Sequence, residues 1–196
     1  MRILRLLAPF LLLALAGCIA PSSAPPGPQP DIVTRSTEQV GKFIAFVGPR
    51  RRQAEPFLGV PGTNFYALRS WIDTRNGETL HQLYVEDSYF GAERNWEAAR
   101  DPQGRPLRFT AISKNEITCQ PSCSYAEEFA AAIPEADLRN AAGSGLTVTF
   151  TARSGAEKTI AVPAEPVRAQ IVALDRVRAG LASAAAAPQP APAARP

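Results

Sequence analysis

Alternating apolar and polar positions run through the middle of the chain. Between residues 146 and 153, every second residue is apolar and the residues between are threonine or arginine. A period of two places the apolar side chains on one face of a strand, so this segment is predicted to be a half-buried β-strand. Apolar or alternating runs of the same kind predict further strands at 40–47, 64–73, 79–89, 107–112, 125–133 and 159–162.

Turn chemistry separates these runs. Asn76-Gly77 lies between two of them, and an Asn-Gly pair is a strong signal for a β-hairpin. The segment Asp101-Pro102-Gln103-Gly104 has turn composition and predicts a second β pair, between Trp96 and residues 107–112. Ser154-Gly155 is predicted to turn strand 146–153 back into 159–162.

Two segments change to a helical period. Residues 134–142 (PEADLRNAA) begin with proline and early acidic residues and are followed by glycine, which are the marks of a short helix. From Pro166 to Leu181 apolar residues recur at steps of three and four, so a C-terminal amphipathic helix is predicted to lie across one sheet. Its apolar stripe consists of Val167, Ile171, Leu174, Val177 and Leu181.

This order of elements predicts the fold class. Many strands followed by late helices indicate a mainly β domain with β-sandwich-like antiparallel sheets, a short helix and a C-terminal amphipathic helix. An α+β two-layer fold is the alternative. About 150 residues are available for packing, which is enough for one core.

The first residues have the pattern of a secretory signal. Arg2 and Arg5 precede an uncharged run from Leu6 to Ala16. A membrane-spanning helix needs about twenty apolar residues, so this run is too short for one. Loss of Arg2 and Arg5 on cleavage would lower the formal charge from +3 to +1. The nearly neutral remainder argues against a nucleic-acid partner.

The segment Leu15-Ala16-Gly17-Cys18 resembles the lipobox of bacterial lipoproteins. The resemblance implies that residues 1–17 are a signal peptide, that Cys18 becomes the acylated N-terminus, and that the acyl chains hold the protein to a membrane facing the periplasm. Ile19, where enteric lipoproteins retained at the inner membrane carry Asp, favours the outer membrane. An ordinary soluble secreted protein is the alternative.

Composition sets the domain boundaries. Residues 18–30 are rich in proline and small residues and are predicted to form a tether. The β-rich globular domain is predicted at 31–181. The Ala/Pro tract at 182–196 is predicted to be a disordered tail.

The remaining cysteines, Cys119 and Cys123, form an even pair in an oxidising compartment, which predicts a structural disulfide between two neighbouring strands. Their spacing is CxxxC and does not match the CxxC redox motif. A reactive thiol pair and a metal pair remain alternatives. No metal or cofactor is expected, because the only histidine, His81, lies far away in sequence.

No catalytic constellation is visible. A Ser-His-Asp triad would have to use His81, which is predicted to be structural, and Gly143-Ser144-Gly145 fits a helix stop better than a nucleophile elbow. The adjacent carboxylates at 86–87 and at 127–128 point to opposite faces of their strands, so neither pair acts as neighbours. The arginines at 50–52 are either solvated or bind an anionic envelope polymer or lipid phosphate.

Large aromatic side chains cluster in one third of the chain. Core packing explains most of them, and some are candidates for a partner surface, since tryptophan and tyrosine are favoured at interface hot spots. The cluster comprises Phe65, Tyr66, Trp71, Tyr84, Tyr89, Phe90 and Trp96.

The strands at His81–Val85 (HQLYV) and Cys119–Glu127 resemble a pattern in uncharacterised secreted proteins of proteobacteria, which implies no activity. The sequence therefore predicts a non-enzymatic envelope lipoprotein that binds or scaffolds another envelope protein. The alternatives are a protein that binds a small ligand or an envelope polymer, and a cell-wall hydrolase.

Overall fold

The computed structural model describes residues 33–39 and 41–186. Cys18, the predicted signal peptide at 1–17, the predicted tether at 18–30 and residues 187–196 of the predicted tail lie outside the described residues. Within the described part of the chain, no helix is long and apolar enough to cross a membrane.

The larger sheet is antiparallel and has seven strands. Its order is β1-β2-β4-β5-β9-β8, with β3 paired to β4. Its longest strands, β5, β8 and β9, lie side by side. The strands are β1 (Thr34–Glu38), β2 (Phe43–Val47), β3 (Arg51–Arg52), β4 (Phe65–Asp73), β5 (Thr79–Phe90), β8 (Phe109–Cys119) and β9 (Cys123–Ala132).

The smaller sheet and two helices form the second layer. This sheet has the order β11-β10-β6-β7. Its strands are β6 (Trp96–Arg100), β7 (Pro106–Leu107), β10 (Leu146–Ala152) and β11 (Glu157–Val162), and the helices are α1 (Glu135–Ser144) and α2 (Ala164–Ala186). Helix α2 packs on β2 and β4, where the smaller sheet does not reach. The predicted mainly β class is therefore confirmed.

The core lies between the two layers and is centred on aromatic rings. The rings of Phe129 and Phe150, one from each sheet, have centroids 4.9 Å apart. Trp96 packs on Phe129 at 5.1 Å. Apolar residues at every second position of β10 enter this core, because only one face of that strand is covered. The alternation at 146–153 therefore gave the correct face.

Most predicted elements are present, with two differences. The hairpin at Asn76-Gly77 joins β4 to β5, and the turn at Asp101 joins β6 to β7. The strand predicted at 107–112 is divided at Arg108: Leu107 pairs in the smaller sheet, and β8 pairs in the larger one. Helix α2 runs to Ala186, so the first residues of the predicted tail continue the helix.

The larger sheet has two distinguishable ends. We call the end with the β4–β5 turn the hairpin end. The opposite end, which we call the tip end, carries Phe90 and the turn between β8 and β9. In that turn the sulfur atoms of Cys119 and Cys123 lie 2.12 Å apart, a disulfide distance. Strand β1 runs antiparallel to β2, so its first residue, Thr34, lies beside Val47 and its N-terminal end faces the tip end.

Gly145 is predicted to be indispensable, and Gly155 offers a matched control. Both have a positive φ, +89° and +85°, a region that side chains other than glycine's disfavour. A Cβ at Gly145 would lie 2.6 Å from the Val162 carbonyl oxygen, whereas one at Gly155 meets nothing within 4 Å. We expect Gly155→Ala to lower the free energy of unfolding by about 1 kcal/mol and Gly145→Ala by about 3 kcal/mol or more. Urea denaturation measures both, and equal losses would contradict the steric argument.

Candidate functional site

A groove of about 530 Å³ lies on the outer face of the larger sheet, at the hairpin end. Trp71 forms its floor together with Phe43 and Leu80. Trp71 pairs across the sheet with Ala45 on one side and Leu80 on the other. Because its directly paired residue on β2, Ala45, is small, the indole is not covered from that side and stays half-exposed.

The Trp71 ring is held in place. Its Nε1 donates a hydrogen bond to Glu38 Oε2 at 3.0 Å, which fixes the indole against β1. Leu80 is one of the large apolar side chains left exposed among the described residues. A fixed aromatic ring loses little conformational entropy when another molecule packs on it, so this surface is suited to binding.

The rim of the groove carries charges of both signs. Glu38, Asp73 and Glu78 line it. Arg75 donates from its side chain and its backbone to Asp73, and these hydrogen bonds lower the pKa of that carboxyl to about 2. Lys42 lies over the Phe43 ring at 5.4 Å. The rim is therefore ionised at neutral pH, with acidic groups in slight excess.

A second cluster of polar groups is buried between the two sheets at the tip end. Asp87 on β5 and Glu127 on β9 are directly opposite each other in the register. Both carboxylates turn to the core face, where they meet the connection from β5 to β6. The sequence placed each of them on a strand but did not show that the two converge, because their pairing depends on strand order.

Each of these carboxylates is fully occupied by donors. Asp87 accepts from Arg94 Nη1 at 2.7 Å, Lys158 Nζ at 2.7 Å and Trp96 Nε1 at 3.0 Å. Glu127 accepts from the Tyr89 hydroxyl and from the backbone N–H groups of Asn95 and Trp96. A glycosidase needs one carboxyl free to give a proton and another free to meet water or substrate. This pair is instead a structural ion cluster.

The lone histidine lies in a chain of groups that resembles a catalytic triad. His81 Nδ1 is 2.9 Å from Ser70 Oγ, and His81 Nε2 is 3.7 Å from Glu135 Oε2. Gln170 Nε2 donates to Ser70 Oγ at 2.9 Å. Since Gln170 supplies a donor to that oxygen, the serine hydroxyl is free to donate to His81 Nδ1, which leaves the imidazole proton on Nε2.

This arrangement is enclosed. Ser70 is 1% exposed and His81 is 3% exposed, beneath α2 and the start of α1. Burial lowers the pKa of His81, so the ring is neutral at pH 7, and the nearby Glu135 opposes that shift only in part. A nucleophile must reach a carbonyl carbon, and Ser70 has no path to one. The predicted structural role of His81 fits this geometry.

A cavity of about 800 Å³ opens between α1 and the turn from β6 to β7. Polar and apolar residues contribute about equally to its lining. Asp101 accepts from Arg105 and from the backbone of the turn, and Arg105 also approaches Asp137 at 3.5 Å. The charged groups of this cleft therefore bind one another across its mouth.

The other predicted site residues are spread over the molecule. Of the seven clustered aromatics, five are buried and only Trp71 and Phe90 reach the surface. Arg50 stacks over Phe65 at 4.5 Å, and Arg52 pairs with Glu55 at 3.0 Å. Across residues 33–39 and 41–186, no group of three or more His, Cys, Asp or Glu side chains is placed to hold a metal ion.

Comparison of the chain with protein-family models, with curated proteins and with solved structures found no match. No relative's activity can therefore be carried over to these residues.

Removing one carboxylate of the ion cluster should destabilise the fold. We expect Asp87→Ala to lower the free energy of unfolding by about 3–5 kcal/mol, because it leaves the cations of Arg94 and Lys158 without their buried partner. Glu157→Ala is the control: it breaks the half-exposed ion pair with Arg100 at 2.9 Å and should cost less than about 1 kcal/mol. Urea denaturation of the two variants makes the comparison. Similar small losses would mean that Asp87 is not a structural group.

The buried histidine gives a pH-dependence with a definite sign. The folded chain resists protonation of His81, whereas the unfolded chain takes up the proton near the ordinary pKa of about 6.5. Stability should therefore fall as the pH drops below about 6.5, by at most about 1.4 kcal/mol per pH unit. His81→Gln should remove this slope between pH 7 and pH 5, measured by urea denaturation at each pH. Parallel slopes in both proteins would contradict the assignment.

Proposed function

We propose that this chain is a membrane-anchored envelope lipoprotein, acylated at Cys18, whose β-rich domain binds another envelope protein without catalysing a reaction. The observation that carries the binding role is the groove around Trp71. It combines a fixed, half-exposed indole with the exposed side chain of Leu80 and a rim of ionised groups. Aromatic anchors surrounded by polar groups are typical of protein interface hot spots.

The buried polar groups support the non-enzymatic part of the proposal. The two described arrangements that resemble catalytic machinery, Asp87 with Glu127 and Ser70 with His81, are buried and bonded to protein groups. Their hydrogen bonds and ion pairs stabilise the contact between the two layers, and this structural role explains why polar groups are buried there. The groove, in contrast, leaves apolar surface of Trp71 and Leu80 exposed.

The anchor supports the same role through concentration. A binder fixed to a membrane meets a partner in the same envelope at an effective concentration set by its tether, without any added contact. Residues 18–30 form that tether in the proposal. The chain enters β1 at Thr34, which lies in the same row of the sheet as Gln82, a residue that lines the groove.

Binding of an envelope polymer is the second candidate function. The 800 Å³ cleft beside α1 is the observation that favours it, because its size suits a chain of small polar units and its lining alternates polar and apolar residues. Asn140, Ser144 and Thr147 supply uncharged polar groups there. A polymer bound in this cleft would not depend on Trp71.

The test is crosslinking in living cells, with four forms of the chain: wild type, Trp71→Ala, Ile112→Ala and Cys18→Ser. We expect wild type to capture one discrete partner and Trp71→Ala to lose it, with a loss of about 2 kcal/mol or more, equivalent to roughly thirtyfold in affinity. Ile112 is exposed on β8, outside the groove, so Ile112→Ala should capture as much as wild type.

Cys18→Ser tests the anchor in the same experiment. Capture should weaken while the affinity of the purified domain for the identified partner stays unchanged, because only the local concentration is lost. Unchanged capture by both Trp71→Ala and Cys18→Ser would sink the proposal, and ligand and polymer screens on the cleft would then be the next step.

A further inference from the structure

Three large apolar side chains are exposed together at the tip end. Leu58 is 67% exposed, Val60 is 51% exposed and Phe90 is 53% exposed. The Phe90 ring contacts that of Phe57 at 4.7 Å, which brings the loop after β3 onto the end of β5. Single exposed apolar residues are ordinary, but two on one loop beside a third on the strand end that the loop packs against indicate a contact surface.

The loop that carries two of these residues is held rigidly. Thr63 Oγ1 accepts from the Phe57 N–H at 2.8 Å and donates to the Val60 carbonyl at 2.8 Å. Asn64 Nδ2 donates to the Glu55 carbonyl at 2.8 Å. The exposed side chains are therefore presented by a fixed backbone.

Leu58 adds an unfavourable backbone conformation. Its φ is +52°, a region that favours glycine and asparagine and that leucine rarely adopts. A leucine there costs about 1 kcal/mol or more relative to a residue that fits. Neither its conformation nor its exposure helps the fold, so the side chain is better explained by a contact outside the domain.

Arginines lie beside this apolar tip. Arg50, directly before β3, and Arg52, on β3, are exposed on the side of Phe65. Glu55 is the acidic group in the same loop, and it pairs with Arg52 at 3.0 Å. Apolar side chains with adjacent arginines are the combination that binds the headgroup region of an anionic membrane.

The direction of β1 places this surface on the side of the anchor. The N-terminal end of β1 faces the tip end, and Thr34 lies in the same row of the sheet as Gln82. Phe90 is eight residues further along β5, about 26 Å towards the tip. The fifteen residues at 18–32 reach up to about 50 Å when extended. An anchor at Cys18 can therefore bring the tip to the membrane.

We propose that the tip formed by Leu58, Val60 and Phe90 inserts into the surface of the membrane to which the chain is anchored, with Arg50 and Arg52 at the level of the lipid phosphates. This inference rests on the proposed function, since the anchor supplies the membrane. It adds that the domain has a fixed orientation, with the Trp71 groove at the end of the sheet away from the lipid.

The test attaches an environment-sensitive dye to residue 58. The full chain carries Cys18→Ser and Leu58→Cys, so the new thiol is the one cysteine outside the Cys119–Cys123 disulfide. It is reconstituted in vesicles of phosphatidylethanolamine and phosphatidylglycerol with brominated acyl chains. We expect emission shifted to the blue and quenched roughly twofold or more, because an inserted side chain sits about 5–10 Å deep at the acyl boundary.

The control places the dye at Val172→Cys in the same background. Val172 is also an exposed apolar residue, at 55%, but it lies on α2 outside the tip. Its emission should stay water-like and unquenched. The readout is local to the labelled position, so a hydrophobic N-terminal segment in the lipid cannot imitate it.

Two results would contradict the proposal that the tip inserts into the membrane. Water-like emission at residue 58 would show that it does not enter the lipid. A blue shift without bromine quenching, growing with protein density, would show that a second copy of the chain covers it. Acylation is scored separately by the intact mass of the wild-type chain. An unacylated Cys18 together with quenching at residue 58 would contradict the proposed anchor and still support insertion of the tip.

Discussion

Lys158 and Arg94 donate to the same buried carboxylate, that of Asp87, and this contact fixes how the two layers sit on each other. Lys158 comes from β11 of the smaller sheet, and Asp87 comes from the centre of the larger one. Trp96 joins them by donating its indole N–H to Asp87 and its backbone N–H to Glu127. Removing one partner of a buried ion pair is strongly destabilising, because the other charge is left buried and unpaired. A sliding of one sheet over the other would leave at least one charge unpaired, so this packing has a single register.

The same contacts show what the sequence could and could not predict. Val148 and Phe150 were assigned to the core correctly, because a period of two depends only on neighbouring residues. The position of Gln170 could not be predicted: it lies on the apolar face of α2 and is fully buried, donating to Ser70 and to the Phe46 carbonyl. Asp87 lies in the strand predicted at 79–89 and Lys158 just before the one predicted at 159–162. Their ion pair could not be predicted, because it is set by how the two sheets pack.

The group of Ser70, His81 and Glu135 resembles a catalytic triad in residue types but not in geometry. Ser70 Oγ lies 2.9 Å from His81 Nδ1, whereas His81 Nε2 lies 3.7 Å from Glu135 Oε2, beyond hydrogen-bond distance. Glu135 is bound instead by Arg178 and Thr79. Those hydrogen bonds, with that of Arg178 foremost, hold its pKa well below the ordinary range. A carboxylate so fully engaged stabilises the junction of α1, α2 and β5. The polar groups of this site therefore join the helices to the sheet, and Ser70 and His81 are buried because they lie at that junction.

The two exposed apolar surfaces lie at opposite ends of the larger sheet, and each has a separate role in the proposed function. Leu80, in the groove, and Phe90, at the tip, lie on the same strand ten residues apart, which corresponds to about 33 Å. Because they are an even number of residues apart, both side chains lie on the same face of the sheet, at its two ends. In the proposed arrangement the tip and its arginines face lipid, and the groove faces the periplasm. The strand that separates them, β5, is buried on both faces along most of its length. In that arrangement β5 would be the rigid element that holds the groove at a fixed height above the membrane.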